Sequence, residues 1–288
     1  MTKSGSVADE PGSRRLHEIL REELMRKRKP ASRDELRAEL KRLGVVAPGV
    51  PAVKTNGDEI VFDVEPGVAV RGKLYVPSTP GRKPAVLLIE DKPMPQPLFV
   101  SRTRPTAPLA EALYKQGHIV LEMEPRDSPL QVESRAFVGN WLANTRANLI
   151  GLNLPAMRAR DILRGVDLLA AREDVSEIRG AARGVKGIWL LMAAAVDARL
   201  KKVWVDRTPH SVMAAYDRPI GQFLTDALIP GFALRYEFSD FVEPQRLLWS
   251  DPTDWMNRVV PLGGAYRYRY TGESDDALID AFTGRNRR

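Results

Sequence analysis

Ile178-Arg-Gly-Ala-Ala-Arg-Gly184-Val-Lys-Gly-Ile-Trp-Leu-Leu-Met-Ala-Ala-Ala-Val196 is the stretch whose reading decides the fold. Residues 178–182 predict a short strand, and 184–196 predict a helix that follows it with no intervening loop. The same rhythm continues in both directions. Upstream, Ala85-Val-Leu-Leu-Ile89 and His118-Ile-Val-Leu-Glu-Met123 are continuous apolar runs, the pattern of strands buried on both faces. A helix over 108–116, closed by Gly117, separates them. A second helix over 155–171 points Met157, Ile162, Val166 and Leu169 inward. Downstream, 202–205 and 246–249 are further core strands. Strands and helices alternating in this way imply a doubly wound, mostly parallel α/β sheet with helices on both faces. Strands at 60–64 and 68–76, joined by the turn Glu65-Pro-Gly67, add an antiparallel edge.

Ahead of the sheet lies a different texture. Residues 1–13 read as a flexible leader and 14–54 as a helical preface with its linker; 55–288 form the α/β domain. In the preface, Leu16, Ile19, Leu20 and Leu24 recur at helical spacing until Pro30. Ser32 and Glu35 then form a capping box for a second helix, whose Leu36, Leu40 and Leu43 share one face before Gly44. The preface is expected to pack on the main domain.

Composition removes whole classes of chemistry. With no Cys, there is no disulfide, thiolate zinc site, iron–sulfur cluster or thiol nucleophile, and three His leave little for a His-rich metal centre. Neither a dinucleotide-binding glycine fingerprint nor a P-loop occurs, so no cofactor is expected. No run reaches the about 18 apolar residues of a membrane span, and the N-terminus lacks the apolar core of a secretory signal. No membrane association and a cytoplasmic location are the expectations. The net charge of +7 is concentrated over 21–29 and in the tail 285–288. Polyanion binding through these termini is a minor alternative, and nucleic acid is not an expected partner.

In open α/β sheets, ligands sit beyond the carboxyl ends of the strands. Those ends carry Glu90-Asp91-Lys92, Glu124-Pro-Arg126, Arg183-Gly184-Val185, Asp206-Arg207 and Asp251. The order of segments across residues 55–280 resembles α/β-hydrolases of the acetyl xylan esterase and dienelactone hydrolase kind. The resemblance is carried by Gly72-Lys-Leu-Tyr-Val-Pro77, Lys83-Pro-Ala-Val-Leu-Leu88, Met157-Arg-Ala-Arg-Asp161-Ile-Leu-Arg-Gly-Val-Asp-Leu-Leu169, Ala193-Ala-Ala-Val-Asp197-Ala-Arg199, Pro230-Gly-Phe-Ala-Leu234 and Pro244-Gln-Arg-Leu-Leu-Trp-Ser-Asp251-Pro. It implies a Ser-His-Asp triad with the serine on a strand-to-helix elbow, G-x-S-x-G. Aligned on that elbow, this chain has Gly184 at the nucleophile position, and no G-x-S-x-G occurs anywhere in it. The oxyanion loop reads Ile89-Glu-Asp-Lys-Pro93, whose acids oppose a developing oxyanion. The resemblance puts the catalytic His between Tyr266 and Asp276, yet no His follows His210. A residual acid remains, Asp251 or Asp254.

The resemblance therefore implies a scaffold that has lost hydrolysis and binds a small anionic or carbohydrate ligand, or serves as a scaffold for a partner domain or subunit. The alternative is a carbohydrate-ester hydrolase rearranged around Ser211 or Ser250, with His210 beside Ser211 as a displaced base. A helix starting at Gly184 would aim its N–H groups, with Arg183, Val185 and Lys186, at an anion. Equally, Arg183 and Lys186 neutralise Asp91 or Asp251 from within. Plainer readings stand beside the other residues. His118 is structural and His17 solvated; Asp251 and Asp254 make a turn and cap. Arg158 and Asp161 form ion pairs, and the five Trp are core. Tyr266-Arg-Tyr-Arg-Tyr270 is an edge strand rather than a single-strand nucleic-acid surface.

Overall fold

The antiparallel opening has three strands rather than two. The computed structural model describes residues 10–89, 109–126, 141–218, 221–269 and 274–285. Most of the expected leader and the basic tail past Arg285 lie outside the described residues. β1 (Val53–Asn56) pairs with β2 (Glu59–Glu65), which pairs with β3 (Val68–Tyr75). Every residue of β1 is exposed, so its sequence carries no buried alternation to mark it. Beyond β3 come β4 (Lys83–Ile89), β5 (Ile119–Glu124), β6 (Val175–Arg183), β7 (Leu200–Asp206) and β8 (Leu247–Ser250). The sheet order is β1-β2-β3-β5-β4-β6-β7-β8, antiparallel up to β5 and parallel after it. This is the doubly wound, mostly parallel sheet that the sequence predicts. The segment 266–270 corrects the expectation of an edge strand: among its described residues Arg267 alone bridges to Ser250.

Alternation along the central strands sorts side chains to two faces. Ala85, Leu87 and Ile89 of β4 join the core under α5 (Leu154–Ala170) and α6 (Lys186–Val196), whereas Val86 and Leu88 face α3 (Leu109–Lys115) and α8 (Asp276–Thr283). β7 repeats the division, with Val203 and Val205 on the first face and Trp204 against Phe282 on the second. α5 starts where Asn153 caps the Ala156 N–H, with proline in its first turn.

The preface joins the first face. α2 (Arg33–Arg42) begins at the expected Ser32/Glu35 capping box and buries Leu36 and Leu40, contributing about 1.5–3 kcal/mol each as an upper estimate. α1 (Leu16–Lys27) is more loosely held: Leu24 is buried, but Leu16, Ile19 and Leu20 are exposed, against the expected apolar face. Besides Leu24 and the Arg21–Asp217 ion pair, the short segment between the two helices attaches it. There Lys29 and Ala31 donate backbone hydrogen bonds to Leu234 and Arg235.

Ion pairs tie α5 to the rest, and those of Arg158 and Asp161 are the plainer of the two readings for these residues. Arg158 meets Asp226 at 2.7 Å with both side chains wholly buried, and its guanidinium lies over the Trp189 ring. Asp226 belongs to the short α7 (Leu224–Ala227). Asp161 accepts from the backbone N–H and guanidinium of Arg126, just past β5, and Arg126 also binds Glu65.

His118, just before β5, is buried with Nδ1 lacking a partner. Burial, aided by the nearby Arg179 charge, holds its pKa below the ordinary 6.5. The unfolded chain therefore takes up a proton that the folded chain resists. The stability at stake is complete above pH 6.5 and falls away as pH drops from there through the lower folded-state value. Denaturation midpoints from about pH 7.5 to about pH 5 are expected to decline less in His118→Gln than in the parent. Parallel declines would contradict this assignment.

Candidate functional site

β6 gives way to α6 through a two-residue elbow. Gly184 takes φ +65°, a left-handed conformation that breaks the strand and forbids an immediate helix. α6 therefore starts at Lys186, two residues later than the expected start at Gly184. The Gly184 N–H donates to the Asp206 carbonyl at 2.8 Å, and Thr208 Oγ1 donates to the Gly184 carbonyl at 3.0 Å. Among the described residues, a Cβ at Gly184 would meet nothing within 4 Å. Three residues on, Gly187 is packed so closely that a Cβ would fall 2.1 Å from Thr208 Oγ1. The turn is thus braced from behind by Thr208.

β4 lies between β5 and β6, so the chain leaves the sheet in opposite directions around it. The carboxyl ends of β4 and β6 border the crevice where such folds hold ligands. Glu90, Asp91 and Lys92, expected at the oxyanion loop, lie outside the described residues.

Around the ends of β6, β7 and β8, charges form one network. Asp206, at the end of β7, receives Arg183 Nε at 2.5 Å and Arg269 Nη2 at 2.5 Å. Ser250 Oγ donates to the same carboxylate at 2.7 Å and accepts from the Trp204 indole at 2.8 Å. Arg269 binds Asp251 with its Nε at 2.6 Å and its backbone N–H at 2.9 Å. Asp275 takes the remaining arm of Arg269 and lies 3.3 Å from Arg183. Burial opposes the Asp206 charge, yet Arg183, Arg269 and the Ser250 hydroxyl outweigh it and hold the carboxyl below its usual range. Arg269 is likewise desolvated, but Asp206 and Asp251 strengthen its hold on the proton. Arg207 and Asp251, the residues after β7 and β8, have φ +49° and +42°. Such conformations cost about 1–3 kcal/mol each, and the surrounding contacts hold them in place.

The candidate residues divide between this network and the loops beside it. Asp251 joins the network through Arg269. Asp254 does not: it caps a turn by accepting from Met256 and Arg258 N–H groups and pairs with the Arg258 guanidinium. His210 bonds the Thr253 carbonyl through both its backbone N–H and Nδ1, the structural role. Ser211 faces Glu237 and caps Ala214, with no contact to the His210 ring. Ser250 is wholly buried. Of the residues expected at an anion nest, Arg183 pairs with Asp206 and Asp275, and Val185 and Lys186 are buried. Of the two acids expected beside them, Asp251 pairs with Arg269, and Asp91 lies outside the described residues.

Sequence reading missed Arg269 and Asp275. A signal was present. The segment where the resemblance places a histidine carries Arg267 and Arg269, and the acid waits opposite at Asp251. Among the described residues, no group of three or more His, Asp or Glu side chains is arranged to hold a metal ion, and no helix is long and apolar enough to cross a membrane.

No protein-family model matches this chain, and no curated protein matches its sequence. Solved structures do match its fold. A protein provisionally assigned as an acetyl xylan esterase, from Bacteroides fragilis NCTC 9343, superposes with TM-score 0.62 at 13% identity, over 85% of this chain and 77% of that one. The acetyl xylan esterase from Paenibacillus sp. R4 gives 0.54 at 15% identity, covering 91% and 98%. Acetyl Xylan Esterase 1 from Thermoanaerobacterium sp. JW/SL YS485 gives 0.53 at 12%, covering 89% and 94%. At such identities the likeness is one of architecture: the chain has an α/β-hydrolase fold of the kind seen in acetyl xylan esterases.

Proposed function

We propose that this chain is an acetyl xylan esterase-like homologue that has lost hydrolytic activity and works by binding a ligand or as a scaffold. The observation that carries the reading is Arg269. It occupies the segment where the resemblance places the catalytic histidine and binds Asp251, the residue at the acid position, through Nε at 2.6 Å. A histidine there alternates between accepting and donating a proton. A guanidinium remains charged at any physiological pH and has no lone pair for a hydroxyl proton. The second support is Gly184: the elbow has the required shape but no nucleophilic atom. A hydrolase rearranged around Ser250 or Ser211 has less support. Ser250 is sealed inside the network, and Ser211 is engaged by Glu237.

Hydrolysis of p-nitrophenyl acetate and of acetylated xylan is therefore expected to match buffer alone. Turnover above that level overturns the reading. Its disappearance in Ser211→Ala or Ser250→Ala would transfer the chemistry to a rearranged site, and its persistence in both would place the nucleophile elsewhere.

Gly184→Ser is expected to remain inactive and to lose about 1 kcal/mol of stability. Among the described residues the new Cβ has space, but φ +65° is unfavourable for serine, and Arg269, which cannot take a proton, binds the acid position where a histidine is expected. Mass spectrometry after incubation with an activated ester checks the first point, and thermal melting the second. An acyl adduct on Ser at this position would reveal a base in the crevice.

A further inference from the structure

We infer that the cleft between α1 and the loops after β7 and β8 binds a small oxyanion-bearing molecule of about monosaccharide size. The inference concerns a cavity separate from the elbow and holds whether or not the elbow hydrolyses esters. The cavity measures about 540 Å³, within the range of small-molecule sites and far more than an inorganic ion needs. Arg15, His17, His210 and Arg218 line it.

Its charge balance points to an anion. Asp217 and Asp254 also line the cavity, but each is already matched: Asp217 by Arg21 at 2.8 Å, Asp254 by Arg258 at 2.7 Å. Arg15 and Arg218 have no carboxylate within ion-pair distance among the described residues. Two guanidiniums thus border one cleft uncompensated, and a guanidinium grips a carboxylate or phosphate with two parallel hydrogen bonds. His210 is held in place beside them: a carbonyl only accepts, so the Nδ1 that lies 2.9 Å from the Thr253 oxygen carries the proton, and Nε2 of the neutral ring is then an acceptor, suited to a sugar hydroxyl rather than to the anion itself. Trp255 supplies a rigid apolar wall, its indole N–H held by the Ser211 carbonyl at 2.8 Å. Cationic side chains and an aromatic surface lining one cleft suit an acidic or phosphorylated sugar.

Calorimetry with glucuronate, glucose 6-phosphate and uncharged glucose tests this on the full chain. The expected result is saturable binding of at least one acid, none of glucose, and weakening of about tenfold or more in Arg15→Ala/Arg218→Ala. Both arginines are exposed, so the variant should melt with the parent. A melting shift is controlled by Arg218→Gln, which is expected to weaken binding in the same direction. Absence of heat from both acids in the parent overturns the inference, as does undiminished affinity in the double variant. Binding of glucose as tight as that of the acids overturns it too.

Discussion

Asp206→Ala is expected to destabilise the protein by about 3–5 kcal/mol, enough to consume much of the stability of an ordinary domain. The carboxylate is 3% exposed and serves two guanidiniums and a buried serine together. Removing it leaves Arg183 and Arg269 with only Asp275 as a shared counter-charge among the described residues, in a setting where rehydration is restricted. Asp206→Asn separates charge from shape: it preserves the volume and an acceptor oxygen but lowers the attraction, and should cost less than alanine. Acid should reproduce part of the loss. Because the folded-state pKa lies below the ordinary 3.8, the carboxylate's contribution is complete above that value and disappears as pH falls through the lower one. Urea denaturation of the parent and both variants at neutral pH measures the effect. A loss under about 1 kcal/mol in Asp206→Ala would mean that the network is solvated and holds nothing together.

Asp226→Ala should cost a similar about 3–5 kcal/mol, for a reason that a second substitution exposes. Arg158 and Asp226 are both wholly enclosed, between α5 and α7. The alanine variant keeps the Arg158 guanidinium beside Trp189 without its carboxylate, so the desolvation already incurred by the arginine is no longer offset. Arg158→Met/Asp226→Leu removes both charges and fills the space with apolar atoms. It is expected to recover most of the loss, since a buried pair often does no better than a well-packed apolar replacement. The double variant is decisive. If it is as unstable as Asp226→Ala, the pair contributes through geometry that apolar packing cannot replace.

The elements that can be read from the sequence are those whose burial imposes a pattern. The runs 85–89 and 118–123 have apolar residues on both faces, and they match β4 and β5 within two residues at either end. The junction at Gly184 is legible because glycine between an apolar strand and an apolar helix has few other uses. β1 escapes such a reading because Val53-Lys-Thr-Asn56 buries nothing. The segment at Tyr266 misleads in the opposite direction. Its aromatic–basic alternation mimics a strand, but Tyr266 uses its ring against Trp249 while Arg269 turns into the charge network. That network is the least legible feature. Arg269 and Asp206 are 63 residues apart, and ion pairing across such a distance leaves no periodicity in either neighbourhood. Side-chain charge identifies candidates; the fold alone decides which of them meet.

Arg269 binds three carboxylates with a single side chain, and this bears on the history open to such a protein. A histidine at 269 has two ring nitrogens and cannot satisfy Asp206, Asp251 and Asp275 together. Restoring that one residue would therefore strip partners from two buried acids before any serine stood at 184 to use it. Restoring the serine first would strain the elbow with no base to activate it. On the proposed reading of this chain as one that has lost hydrolysis, the guanidinium that holds the strand ends together also acts as a ratchet, because replacing it costs stability.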